Sequence, residues 1–81
     1  MALTLNYFAA LRDRMGTAEE TIEADAATPR ALVEWLIRRD EHAEPLGHGS
    51  VRFIVNDMIA TADTPLRDGD RIAFCPPFSG G

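Results

Sequence analysis

The residues able to do chemistry in this chain are few, and the sharpest arrangement of them comes last: Phe74-Cys75-Pro76-Pro77-Phe78-Ser79-Gly80-Gly81. Glycine has no Cβ to block approach to its carbonyl carbon, so Gly80 and Gly81 put a bare carboxylate at the end of a slim thread. Such an end passes a narrow channel and presents itself to a nucleotide phosphate. Composition alone gives a Gly-Gly end to roughly one chain in two hundred, with glycine at about 7% of residues, and glycine-rich ends also occur simply because termini fray. Pro76 and Pro77 lack N–H groups and fix φ, so a strand before them must stop and the chain must leave extended. From Pro76 to Gly81 the reach is at most about 20 Å, and the prolines reduce the entropy lost when the thread enters a partner's pocket.

The other reactive side chains read more plainly. Cys75 is a lone cysteine ending a strand, which is usually a small apolar residue rather than a nucleophile. His42 and His48 have no cysteine at zinc-ligand spacing. Asp57, Asp63, Asp68 and Asp70 fall around turns, and Asp-Gly accounts for the last pair without calcium. No metal site is assigned. The chain has no GxxxxGK[ST] phosphate loop and no lysine, so a nucleotide site and a basic catalyst must come from partners. All eight basic side chains are arginine. Genome composition bias explains that first, but an activated carboxylate would also find no amine of its own chain to attack it.

The elements that must position the tail fit one small domain. A chain of 81 residues buries only roughly 60% of its unfolded surface and has modest stability. Its hydrophobic content of 46% argues against disorder. The net charge of -5 excludes the positive stripe that nucleic acid demands and points to protein partners with basic surfaces. Met1-Ala2-Leu3 begins no signal peptide, no apolar run approaches the roughly 20 residues that cross a bilayer, and Cys75 cannot form an internal disulfide. The expected compartment is the cytoplasm.

Leu3, Leu5 and Tyr7 alternate on one face of a first strand running to Phe8. The segment 9–16 predicts a short helical turn stopped by Gly16, and 19–24 a weaker, half-wet second strand. Thr28-Pro29 marks a cap and first turn; Leu32, Val33, Trp35, Leu36 and Ile37 then stripe a main helix to about Glu41. Residues 44–50 read as a loop, 51–55 as a β-branched and aromatic strand, Asn56-Asp57 as a turn into 58–61, and Arg67-Asp68-Gly69-Asp70 as a turn before the last strand, 71–75. One helix cannot supply the crossovers of a doubly wound sheet, so the class is α+β: a mixed four- to five-stranded sheet packed on one main helix, residues 1–75, with an extended tail, 76–81. First and last strands as central neighbours would let the tail leave from the sheet middle. Phe8, Phe53, Ile54 and Phe74 are core candidates, whereas Phe78, beyond two prolines, is an anchor for a partner pocket.

The FxPPxxGG ending after Asp68-Gly69-Asp70, with YFAALRDRMG early and TPRALVEWL opening the helix, resembles the MoaD/ThiS family of sulfur carriers along nearly the whole chain. The ending is specific; the remainder is consistent with it. The resemblance implies a β-grasp, ubiquitin-like fold. It implies that Gly81 is adenylated by an E1-like, ATP-dependent partner and converted to a thiocarboxylate by way of a sulfur donor protein. It further implies docking on a large catalytic subunit in a heterotetramer, where sulfur passes to cyclic pyranopterin monophosphate to build molybdopterin. The chain itself would bind no cofactor and would not catalyse alone. By the same resemblance Phe8, Arg12, Phe74, Pro76, Pro77, Phe78, Ser79 and Gly80 contact partners, while Cys75 stands where the family often has an aromatic. Three alternatives stay open: a sulfur carrier for thiamine or cysteine synthesis, a ubiquitin-like modifier joined to target lysines, and an interaction module with an inert tail.

Overall fold

The computed structural model describes residues 1–76; the expectations placed on Pro77, Phe78, Ser79, Gly80 and Gly81 lie outside the described residues. Its elements are β1 (Ala2–Tyr7), α1 (Ala10–Met15), β2 (Glu19–Glu23), α2 (Pro29–Arg39), a 3-10 helix (Glu41–Gly47), β3 (Arg52–Val55), β4 (Met58–Ala60) and β5 (Arg71–Cys75). One five-stranded sheet has the order β2-β1-β5-β3-β4. β1 and β5 run parallel and the other neighbours antiparallel. The α+β expectation holds, and the first and last strands are the neighbours the sequence indicated.

Local chemistry explains the elements. Leu3, Leu5 and Tyr7 are buried and the residues between them are not, as a strand with one covered face requires. The Thr28 hydroxyl accepts from the Ala31 N–H at 3.2 Å, capping α2 ahead of Pro29. Pro29, Leu32, Val33 and Leu36 form the buried stripe of that helix. It stops at Arg39, two residues short of the sequence expectation, because Asp40 turns extended and its carboxylate accepts from the His42 N–H at 2.9 Å. The stretch expected as a loop is instead largely the 3-10 helix. With three residues per turn, Ala43 and Leu46 point the same way, and both enter the core. Asn56 and Asp57, at φ 50° and 69°, make the two-residue turn between β3 and β4 that polar residues tolerant of positive φ allow.

A polar tether crosses the rim of this core. The Tyr7 hydroxyl donates to Glu20 Oε2 at 2.8 Å, and Arg39 donates two hydrogen bonds of 2.9 Å to the same carboxylate. The Arg39 guanidinium lies 5.5 Å over the Trp35 ring. β1, β2 and α2 are thereby joined through one carboxylate. Arg39 above all holds the Glu20 carboxyl below its ordinary range, against the opposing effect of partial burial. Burial first, then the hydrogen bond to Glu20, raises the Tyr7 phenol.

Two outcomes follow. A carboxylate depressed in the folded state contributes stability that is complete above its unfolded pKa and lost as pH falls through the folded one. The urea midpoint of wild type should exceed that of Glu20→Gln most at about pH 6, the gap shrinking towards about pH 3; a constant gap would remove Glu20 from the acid response. Phe74, 0% exposed, should cost about 3–5 kcal/mol when changed to Ala, read by the same unfolding measurement.

Candidate functional site

β5 is the middle strand of the sheet, and the tail begins where it ends. Phe74 pairs in register with Tyr7 of β1 and Phe53 of β3. Its ring stacks on Tyr7 at 5.5 Å between centroids and 15° between planes, and meets Phe53 edge-on at 5.7 Å and 78°. The expectation of Phe74 as a core residue holds: its side chain is wholly enclosed and fixes the root of the tail. The Phe74 carbonyl accepts from the Phe8 N–H at 3.2 Å. Phe8, expected near a docking surface, is half-exposed beside that root. Immediately after it, Ala9 holds φ 51° and ψ -128°, a region that costs a non-glycine residue about 1–3 kcal/mol and turns the chain sharply into α1. Arg12 is exposed on α1 and has no acidic partner among the described residues.

Cys75 and Pro76 are half-buried. Burial pushes the Cys75 thiol up, away from thiolate and from nucleophilic chemistry at neutral pH, in agreement with its reading as a small packing residue. The acids and histidines are used locally. His42 Nδ1 lies 2.8 Å from Asp40 Oδ1, and His48 Nδ1 lies 2.6 Å from the Ser50 hydroxyl. Asp68 accepts from the Ala2 N–H at 2.6 Å, and Asp70 from the Arg67 N–H and the Asn56 side-chain amide, each at 2.8 Å. Asp63 takes a two-pronged contact from Arg30 at 3.0 and 3.1 Å. Among the described residues no group of three His, Cys, Asp or Glu is placed to hold a metal ion.

Because side chains alternate, the sheet has a second face away from the core, and it divides into unlike halves. Over β2 and β1 the polar groups satisfy one another. The Asn6 amide donates to Glu19 Oε1 at 2.9 Å, and Arg71 donates to Asn6 Oδ1 and Glu19 Oε1 at 3.0 Å each. The Asn6 hydrogen bond, then Arg71, keep the Glu19 carboxyl below its ordinary range. Over β5, β3 and β4 the residues are mainly apolar: Ala73 stands opposite Ile54, and Ile54 opposite Ile59. Ile59 is 84% exposed, and the neighbouring edge residue Met58 is 72% exposed. With Phe8 they are the large hydrophobic residues left in water among those described; Met58, paired with the buried Val55, turns to the other side of the sheet, so Ile59 and Phe8 are the two that mark a contact surface on the open face.

The residues alone placed Phe8 and Ile54 with the core and missed Ile59; Phe8 is instead half-exposed, as its resemblance-based place near a docking surface implied. The signal was present in the Asn56-Asp57 turn. A two-residue hairpin sets Val55 against Met58 and therefore Ile54 against Ile59, on the face opposite the buried Val55.

Comparison with known proteins agrees with this arrangement. Residues 5–81 match the model of the ThiS family. The chain is 37% identical over 76 residues to the molybdopterin synthase sulfur carrier subunit of Escherichia coli, covering 93% of this chain and 94% of that one. Its fold superposes on SAMP1 of Haloferax volcanii with a TM-score of 0.82 at 21% identity, covering both chains fully. It also superposes on a chain from the complex of subunits 1 and 2 of the molybdopterin-converting factor of Helicobacter pylori, with a TM-score of 0.67 at 24% identity and full cover of both. With a central strand that leads into a Gly-Gly end and a family model that spans almost the entire sequence, the chain belongs to the ThiS family.

Proposed function

We propose that this chain is the sulfur-carrier subunit of a molybdopterin synthase, with residues 76–81 as its working arm and Gly81 as the reacting group. The observation that carries the reading is the near full-length 37% identity to the Escherichia coli sulfur carrier subunit. The seat of the tail on a central strand supports it. A carboxylate is a poor electrophile; transfer of AMP from ATP by the adenylating partner, with release of pyrophosphate, makes it a good one. Sulfide-level sulfur delivered by the donor protein then attacks the acyl carbon, and AMP leaves with the electron pair of the broken C–O bond, so that a thiocarboxylate remains on a positioned arm. The sulfur passes to cyclic pyranopterin monophosphate in the active site of the large subunit, and two such transfers complete the dithiolene. The enclosed Phe74 sets the direction in which the arm leaves, and Pro76 and Pro77 keep it from rejoining the sheet. Phe78 anchors the arm while Ser79 and Gly80 let it pass a narrow channel. The reaction belongs in the cytoplasm.

The apolar half of the open face, with Phe8 at its end and Arg12 on the adjoining helix, is the docking surface in this reading. Ile59 is the most exposed of its large side chains, so Ile59→Asp should leave the unfolding midpoint unchanged yet weaken binding to the large subunit roughly tenfold or more. Unchanged affinity by calorimetry would move the docking surface elsewhere.

Intact mass after incubation with the adenylating partner, ATP and a sulfur source should rise by the difference between sulfur and oxygen, localised to Gly81. Deleting Gly81 should abolish sulfur transfer with the domain still folded. Normal transfer by the shortened chain would end the carrier reading, and recovery of the chain in isopeptide linkage to target lysines would replace it with the modifier one.

A further inference from the structure

Arg52 begins β3 and stands in register with Cys75, the residue from which the tail departs. Its neighbour Phe53 pairs with the enclosed Phe74, so alternation puts Arg52 with Ile54 on the open face. Two arginines belong to that face. Arg71 is neutralised by Glu19 and further held by Asn6. Arg52 is exposed and makes neither an ion pair nor a side-chain hydrogen bond among the described residues. Arg30 and Arg39, like Arg71, are matched to acids of their own chain, whereas Arg12, Arg14, Arg38 and Arg67 share with Arg52 the lack of an ion pair among the described residues; Arg52 is the one of these five that lies on the open face of the sheet, in register with the root of the tail.

We infer that Arg52 selects the docking partner by requiring a carboxylate from the large subunit at the root of the tail. The inference rests on the docking reading of the open face and adds the chemistry that the covering surface must bring. Five residues, 77–81, follow the described chain from this place, so any protein that takes the tail must cover the ground beside Arg52. Ile54 and Ile59 make that ground apolar, and covering it removes water from the guanidinium. A charge stripped of water without a partner is strongly disfavoured, whereas a carboxylate fits the guanidinium fork with two parallel hydrogen bonds. An apolar surface lacking the acid is therefore rejected even where its shape fits, which is selection by penalty as well as by attraction.

The test is titration calorimetry of the full-length chain against the large subunit from the same source, for wild type, Arg52→Gln, Arg52→Glu and Arg67→Glu. Arg67 lies in the turn before β5, at the opposite end of that strand from the tail, and controls for net charge. Thermal unfolding of each variant confirms the fold. Arg52→Glu should weaken binding at least tenfold and Arg52→Gln less, while Arg67→Glu stays within about twofold, since rim charges contribute little. Wild type that binds while Arg52→Glu binds equally well overturns this inference and leaves the carrier reading standing. Equal losses from Arg52→Glu and Arg67→Glu also overturn it, by assigning the effect to overall charge. Failure of wild type to bind at all overturns both readings. A wild-type chain that dimerises alone, with the dimer abolished by Arg52→Glu, gives Arg52 to a second copy and overturns the assignment.

Discussion

The structure depends on the double pairing of β5. With β1 parallel on one side and β3 antiparallel on the other, the last strand has no free edge, and its ladder fixes every residue up to Cys75. Phe74 adds the side-chain half of the constraint by lying between Tyr7 and Phe53. An arm that must place one carboxylate in another protein's site gains little from a loosely attached base. Here the base is among the most enclosed parts of the molecule, and the ladder ends where proline withdraws the donors needed to continue the sheet.

The rest of the molecule divides its two surfaces accordingly. On the covered face, α2 and the 3-10 helix enclose a core that holds no buried charged or polar residue among those described. The one substantial polar tether, Tyr7 to Glu20 to Arg39, stays at the rim, where the ions keep some contact with water and avoid the full desolvation cost. On the open face, polar groups over β1 and β2 are consumed by one another, and the apolar ones over β5, β3 and β4 are left without partners. The open face is thus divided between a satisfied polar half and an unsatisfied apolar half.

Much of this was legible in the sequence wherever a local rule decides the outcome. Alternation at Leu3, Leu5 and Tyr7, the Thr28-Pro29 cap, the Asp68-Gly69 turn and the proline stop each act over a few residues, and each appears where its chemistry puts it. The failures come where distant segments decide. Glu41–Gly47 has a loop's composition, and only the core beneath Ala43 and Leu46 winds it into a helix. Ile59 and Arg52 look unremarkable as letters and gain meaning from the pairing of β3 with β4 and β5. The chemistry assigned to Gly81 rests on the sequence of the tail and its relatives.

The parallel arrangement of β1 and β5 has a mechanical side. β1 starts at the amino end of the chain, β5 finishes at the root of the tail, and Asp68 and Gly69 bind the start of β1 through the Ala2 backbone. Tension applied to the tail while the domain is held elsewhere runs along these strands, so the ladder bonds on both sides of β5 are loaded together in shear instead of being opened one at a time. A domain threaded in this way tolerates being pulled by its working end. Force on that end is borne by the whole sheet and not by its last ladder bond alone.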